Sequence, residues 1–117
     1  MNAIKLIEEL YKNVDRKDIN YLEDILADDV EFRIGNNEII LGRQAALEAN
    51  RGFFGSIAAM SHKIDDIWSE QDDIICKGQV NYTRLDGSKF SAPFATFLKV
   101  HADKITSYLV YADVSEL

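Results

Sequence analysis

The sequence predicts an α+β domain in which three helices, all from the N-terminal half, cover one face of a mainly antiparallel sheet. Residues 1–61 contain three stretches with helical apolar spacing and one short pair of strands, whereas from His62 onward the period switches to two through four long strands. A second observation comes from Lys89 to Asp113, which reads as strand, polar turn and strand. Its even and odd positions are both partly apolar, so each face needs something packed on it.

Asn2 is placed to cap a first helix, whose Ala3, Ile7, Leu10 and Val14, with Ile4, Leu6 and Tyr11, form one broad apolar face. Asp15-Arg16-Lys17 breaks the pattern, and Asp18 caps a second, shorter helix with Ile19, Leu22, Ile25 and Leu26 on one side. After Ala27-Asp28-Asp29 the alternation Val30-Glu31-Phe32-Arg33-Ile34 makes a first strand with Val30, Phe32 and Ile34 inward. Gly35-Asn36-Asn37 turns the chain into a short return strand, Glu38 to Leu41, and Gly42 precedes a third helix expected to end near Ser61. Gly52 and Gly55 weaken its last turns, each costing about 1 kcal/mol relative to Ala.

His62, Ile64, Asp66 and Trp68 then share one face of a third strand. A polar turn, Glu70 to Asp73, leads to a fourth strand from Ile74 to Leu85, and Asp86-Gly87 turns into the final hairpin. Three helices can cover only one side of such a sheet. The other side is therefore expected to meet a second copy of the chain, in a homodimer.

The 117 residues match one domain spanning 1–117, and 47% hydrophobic with 28% charged residues is the balance of a compact domain. A net charge of −7 without any basic cluster argues against nucleic acid as partner. No apolar stretch approaches the roughly 20 residues of a membrane span, and the N-terminus carries Glu8 and Glu9 instead of a basic leader, so no membrane association is expected. The lone Cys76 reads as a small buried hydrophobe in a reducing, cytoplasmic compartment. His62 and His101 have no Cys, Asp or Glu at ligand spacing, and no phosphate loop, dinucleotide or serine-hydrolase motif occurs, so neither a metal nor another cofactor is expected.

Three stretches, Leu26-Ala27-Asp28-Asp29-Val30-Glu31-Phe32, Gly42-Arg43-Gln44-Ala45-Ala46-Leu47 and Tyr108-Leu109-Val110-Tyr111-Ala112-Asp113-Val114-Ser115, together with the element order, resemble the nuclear transport factor 2-like superfamily. Within it the chain is most similar to the SnoaL-like group, which includes polyketide cyclases and stands next to the ketosteroid isomerases. The resemblance covers nearly the whole chain. It implies a cone-shaped, curved sheet with the helices on its concave face and a cavity between them. One such scaffold serves isomerases, cyclases, dehydratases, epoxide hydrolases, transport adaptors and plain binding proteins, so the fold does not name a reaction.

In the ketosteroid isomerases a carboxylate base lies on the first strand, a phenol donor on the first helix and a protonated acid on the strand equivalent to Lys89–His101. The resemblance places those positions at Ile34, Leu10 and Ala95, none of which can transfer a proton, so steroid isomerase chemistry is not expected. In SnoaL-type cyclases an acid on the last strand acts as base with a His as helper, which implies Asp113 and His101 here. Asp66, between Ile64 and Trp68, is a second candidate base, since desolvation there would raise a carboxylate pKa.

The expected pocket is lined by Ile34, Phe53, Trp68, Val80, Tyr82, Ala95, Phe97 and Tyr108, with Asn50 reaching in from the third helix, and binds a small hydrophobic or aromatic ligand. Any reaction would be cofactor-free proton abstraction or acid–base rearrangement. The rival is a non-catalytic scaffold or interaction module whose cavity is filled by its own side chains. An ionisable group inside the cavity separates the two.

Overall fold

In the computed structural model, which describes residues 2–117, three helices lie against one face of a curved six-stranded sheet. The caps read from the sequence form as expected. The Asn2 side chain accepts from the Lys5 N–H at 3.0 Å and opens α1 (Ala3–Asp15), and Asp18 accepts from the Tyr21 N–H at 3.1 Å and opens α2 (Ile19–Ile25). Helix α1 buries Leu6, Ile7, Leu10, Tyr11 and Val14. Helix α2 passes directly into β1 (Leu26–Ile34), which starts before the alternating stretch because Leu26 already pairs with Ile105 ahead of an irregularity.

The return strand contracts to β2 (Ile40–Leu41). Helix α3 (Arg43–Gly55) stops short of Ser61, since Ser56 closes its last turn with both N–H and Oγ–H donated to the Phe53 carbonyl. The residues expected as its final turns instead begin β3 (Ile57–Glu70), whose ladder with β4 (Asp73–Arg84) runs down to Ile57 opposite Arg84. Ladder hydrogen bonds outcompete helical turns already weakened by two glycines. Strands β5 (Lys89–His101) and β6 (Lys104–Ala112) complete the sheet in the order β2-β1-β6-β5-β4-β3, antiparallel throughout except for β1 beside β6.

The end of α1 covers the first half of the β3 edge. Lys17, in left-handed conformation at φ 58°, donates through Nζ to the carbonyls of Ile57 (2.7 Å) and Ala58 (3.2 Å). Farther along, β3 carries a bulge between Ile64 and Asp66, opposite Gly78 of β4. A Cβ at Gly78 would stand 1.8 Å from the Lys63 carbonyl oxygen, so only glycine admits this approach.

The bulge reverses the parity of β3. Ahead of it His62 and Ile64 face the helices; beyond it the half-buried Ile67 does, opposite the buried Cys76. Asp66 and Trp68 consequently turn outward. Trp68 is 52% exposed, and Asp66 is an exposed acid 3.7 Å from Lys77, not a desolvated one. On the helix-free face Trp68, Ile75, Phe97 and Leu109 are successive cross-strand neighbours and form one apolar row, with Lys77, Ala95 and Tyr111 in the next. Ala95 and Phe97 thus lie outside the helix-covered face, because Thr96 between them points in. Among the described residues no helix is long and apolar enough to cross a membrane.

Candidate functional site

Between α1, α3 and the inner sheet face lies a cavity of about 20 Å³. That is room for about one water and far below the roughly 300–1,000 Å³ of a drug-sized ligand site. Helix α1 supplies Tyr11 and Val14, α3 supplies Asn50, Phe53 and Phe54, and the strands supply Phe32, Ile34, Met60, His62, Tyr82, Tyr108 and Val110. Of the expected lining, Ile34, Asn50, Phe53, Tyr82 and Tyr108 come together here, while Val80 is buried in the core away from the wall. Trp68, Ala95 and Phe97 are excluded by strand parity.

The floor of the cavity is a buried hydroxyl pair. Tyr11 Oη is hydrogen-bonded to Thr96 Oγ1, beneath the Tyr108 ring. Burial pushes the phenols of Tyr11 and Tyr108 well above their ordinary range, and burial followed by the charge of Asp15 raises Tyr82 to about 12. All three phenols therefore keep their protons at neutral pH and can donate.

Tyr11 and Asp15 are four residues apart on one helix face, which brings the Asp15 carboxylate to β3. There one oxygen lies 2.5 Å from His62 Nδ1, and the other accepts from the His62 backbone N–H at 3.0 Å. A carboxylate only accepts, so in the neutral imidazole Nδ1 carries the hydrogen and Nε2 the lone pair. The ring is further held by Tyr11 at 4.3 Å and Phe94 at 5.0 Å between centroids, and its side chain is only 6% exposed. On its far side His62 borders an outer hollow with Glu8, Glu9, Lys12 and Asp15, so it stands in the wall between cavity and surface.

Asn50 is buried, and its Nδ2 donates to the Ala46 carbonyl at 2.8 Å. Because that carbonyl can only accept, the amide nitrogen must face it and Oδ1 is the end left over. Cys76 is fully buried with its thiol pushed up to about 11, in keeping with an inert structural role.

The two residues implied as base and helper are not at the cavity. Asp113 is exposed beyond β6, where its carboxylate accepts from the Oγ–H (2.6 Å) and N–H (3.1 Å) of Ser115, and those bonds hold it below the usual carboxylate range. It borders a surface hollow with Gly35, Asn36 and Tyr111. His101 pairs with Lys104 at the turn of the β5–β6 hairpin, whereas Ala112 pairs with Phe94 at the other end. Eight residues of strand separate the two ends by roughly 26 Å.

Of the positions carried over from the isomerases, only Ile34 lines the cavity. Leu10 is core, and Tyr11 beside it faces the cavity; Ala95 faces outward, and Thr96 beside it faces in. A phenol and a hydroxyl therefore stand where no donor was expected, although Ile34 still leaves the first strand without a base. The Asp15–His62 pair escaped sequence reasoning because its members are 47 residues apart and share no motif. The four-residue spacing of Tyr11 and Asp15 was the one available signal. Among the described residues no group of three or more His, Cys, Asp or Glu could hold a metal ion.

The family model of the SnoaL-like domain matches residues 7–108. No curated protein is detectably similar in sequence. Among solved structures, a nuclear transport factor 2-like protein of unknown function from Burkholderia pseudomallei superposes with a TM-score of 0.87 at 18% identity, covering 99% of this chain and 94% of its own. A protein with a ketosteroid isomerase-like fold from Catenulispora acidiphila, in complex with trimethylamine, gives 0.85 at 16% identity over 97% and 89%. An LEH-like epoxide hydrolase from M. tuberculosis gives 0.82 at 18% identity over 97% and 84%. At these identities the likeness is one of fold.

Proposed function

The chain belongs to the SnoaL-like domain family, and from that premise we propose that it binds a small hydrophobic or aromatic molecule between helices and sheet and handles it by cofactor-free acid–base chemistry. The observation that carries this reading is an oriented His–Asp pair whose imidazole stands in the wall of a largely aromatic cavity. His62 Nε2 is the base, Asp15 is the positioning residue that fixes its tautomer, and the Tyr82 and Tyr108 hydroxyls are donors for a developing oxyanion. The reaction class is proton abstraction beside a carbonyl, or the isomerisation that follows from it. A ligand larger than water enters by displacing Phe53, which is only half-buried at the cavity wall.

The test is a thermal-shift screen of flat ring compounds, including steroids, polyphenols and anthraquinones, followed by deuterium exchange at the ligand's acidic carbon. A ligand at 100 times its Kd adds about 2.7 kcal/mol, a shift on the order of 10 °C for a domain of this size. For a ligand that exchanges, His62→Gln is expected to slow exchange by about 10²–10⁴-fold with binding retained. Exchange surviving that substitution refutes the base. Silence across the screen supports a second reading, a non-catalytic scaffold with a filled cavity, which the volume of about 20 Å³ favours.

We further propose a homodimer through the helix-free face, on the strength of the Trp68–Ile75–Phe97–Leu109 row and the half-exposed Tyr111 beside it. Sedimentation at high micromolar concentration should give dimers, and Phe97→Asp should give monomers; a monomeric parent chain refutes the proposal. The single, buried Cys76 supports placement in a reducing, cytoplasmic compartment.

A further inference from the structure

The head group that suits the cavity follows from the polar atoms its own contacts leave unspent. Tyr11 Oη is taken up by its bond to Thr96 Oγ1. Asn50, 4% exposed, has given its Nδ2 to Ala46, which leaves Oδ1 as an acceptor without a protein partner among the described residues. His62 has given Nδ1 to Asp15, which leaves the Nε2 lone pair. Six aromatic rings, those of Tyr11, Phe32, Phe53, Phe54, Tyr82 and Tyr108, wall the remaining space, and an aromatic face attracts positive charge.

Among the described residues no lysine or arginine lines this space, so a carboxylate or phosphate head would find no counter-charge. A protonated amine finds the reverse: the Asn50 Oδ1 acceptor, a shell of rings, and the Asp15 carboxylate one hydrogen bond away behind His62. The outer hollow past His62 adds Glu8 and Glu9 against Lys12, on a chain of net charge −7. The volume of about 20 Å³ admits a head of about one heavy atom, and the rest of the ligand needs the space that Phe53 gives up.

We propose that the cavity recognises the ammonium head of a small alkylamine, with Asn50 Oδ1 accepting one of its N–H groups and the surrounding rings covering its charge, which leaves His62 Nε2 free as a base. An alkylamine, like a lysine side chain, is protonated at pH 7. The assignment rests on the reading of the cavity as the ligand site and adds the ligand's head group to it.

Three probes of one chain length separate the head groups: n-butylammonium, 1-butanol and butyrate, titrated into the purified chain by calorimetry. Butylammonium is expected to bind about tenfold or more tighter than 1-butanol, with butyrate the weakest. Asn50→Leu, which keeps the volume and removes Oδ1, should weaken butylammonium by about tenfold and 1-butanol by clearly less, since its neutral O–H makes the weaker bond to Oδ1. If that variant does not fold, Phe53→Leu at the half-buried wall should weaken butylammonium selectively. Binding of 1-butanol or butyrate as tight as butylammonium overturns the ammonium head while leaving the cavity as a ligand site. Failure of all three overturns it as well, and the ring-compound screen then decides whether the ligand site falls with it.

Discussion

Along β5 the residues Ala92, Phe94, Thr96, Leu98 and Val100 are buried beneath the helices, while Pro93, Ala95, Phe97 and Lys99 between them lie on the helix-free face. The same strand thus meets two environments in alternate residues. Inside, the Thr96 hydroxyl is fully buried, and its bond to Tyr11 satisfies it there. Outside, the ion pairs Lys77–Asp66 at 3.7 Å and Lys99–Asp73 at 3.6 Å are about half exposed. Water and salt compensate such pairs, which contribute about 0–1 kcal/mol each. Charge is therefore concentrated where it has little consequence, and the groups able to do chemistry are few, inward and mutually oriented. Asp66 and Asp113 stand out in the sequence as acids, but the carboxylate that matters to the cavity is Asp15, because it is the one coupled to a ring in the wall.

The sharpest way to break this difference is to remove the crossing that sets it. Gly78→Ala would place a Cβ 1.8 Å from the Lys63 carbonyl oxygen, a backbone atom that cannot rotate away. Urea denaturation should show a loss of about 3 kcal/mol or more. A cost below about 1 kcal/mol would mean that β3 slides freely and that the bulge does not lock its parity.

An effect of similar size compares the faces directly. Phe94→Ala, on the inner face against Tyr11 and His62, should cost about 3–5 kcal/mol. Phe97→Ala on the outer face should cost less than about 1 kcal/mol when the chain is diluted to monomers. Similar costs at the two positions would erase the distinction drawn between the faces.

The smallest effect is alkaline. Burial raises Cys76 from 9.0 to about 11, and burial with the Asp15 charge raises Tyr82 from 10.0 to about 12. In the unfolded chain these groups lose their protons near 9 and 10, while the folded chain retains them, so the unfolded state binds fewer protons in that interval. The stabilisation they provide is complete below pH 9 and is lost as pH rises to about 12. Denaturation midpoints should fall across pH 9–12, and Cys76→Ala should remove the part between 9 and 11. A flat profile would show that the inner face is wetter than its packing implies.

Much of the architecture was legible in local chemistry. Asn2 and Asp18 cap helices because their side chains satisfy N–H groups two or three residues away, and the period-two runs of β4, β5 and β6 announce strands because alternation is a property of each segment alone. The inward placement of Tyr82 and Tyr108 was read from the same alternation, whereas helical spacing left Asn50 open between cavity and surface. What only the tertiary structure decided is everything that turns on one residue of register. The bulge opposite Gly78 sent Asp66 and Trp68 outward, Tyr11 faces the cavity where its neighbour Leu10 is core, and Thr96 points inward where its neighbour Ala95 points out. The Asp15–His62 pair joins segments 47 residues apart. Local spacing specifies that a residue is buried or exposed on its own element, but which neighbour it meets depends on how two elements are rotated and aligned, and that is settled only when the whole sheet and its helices pack at once.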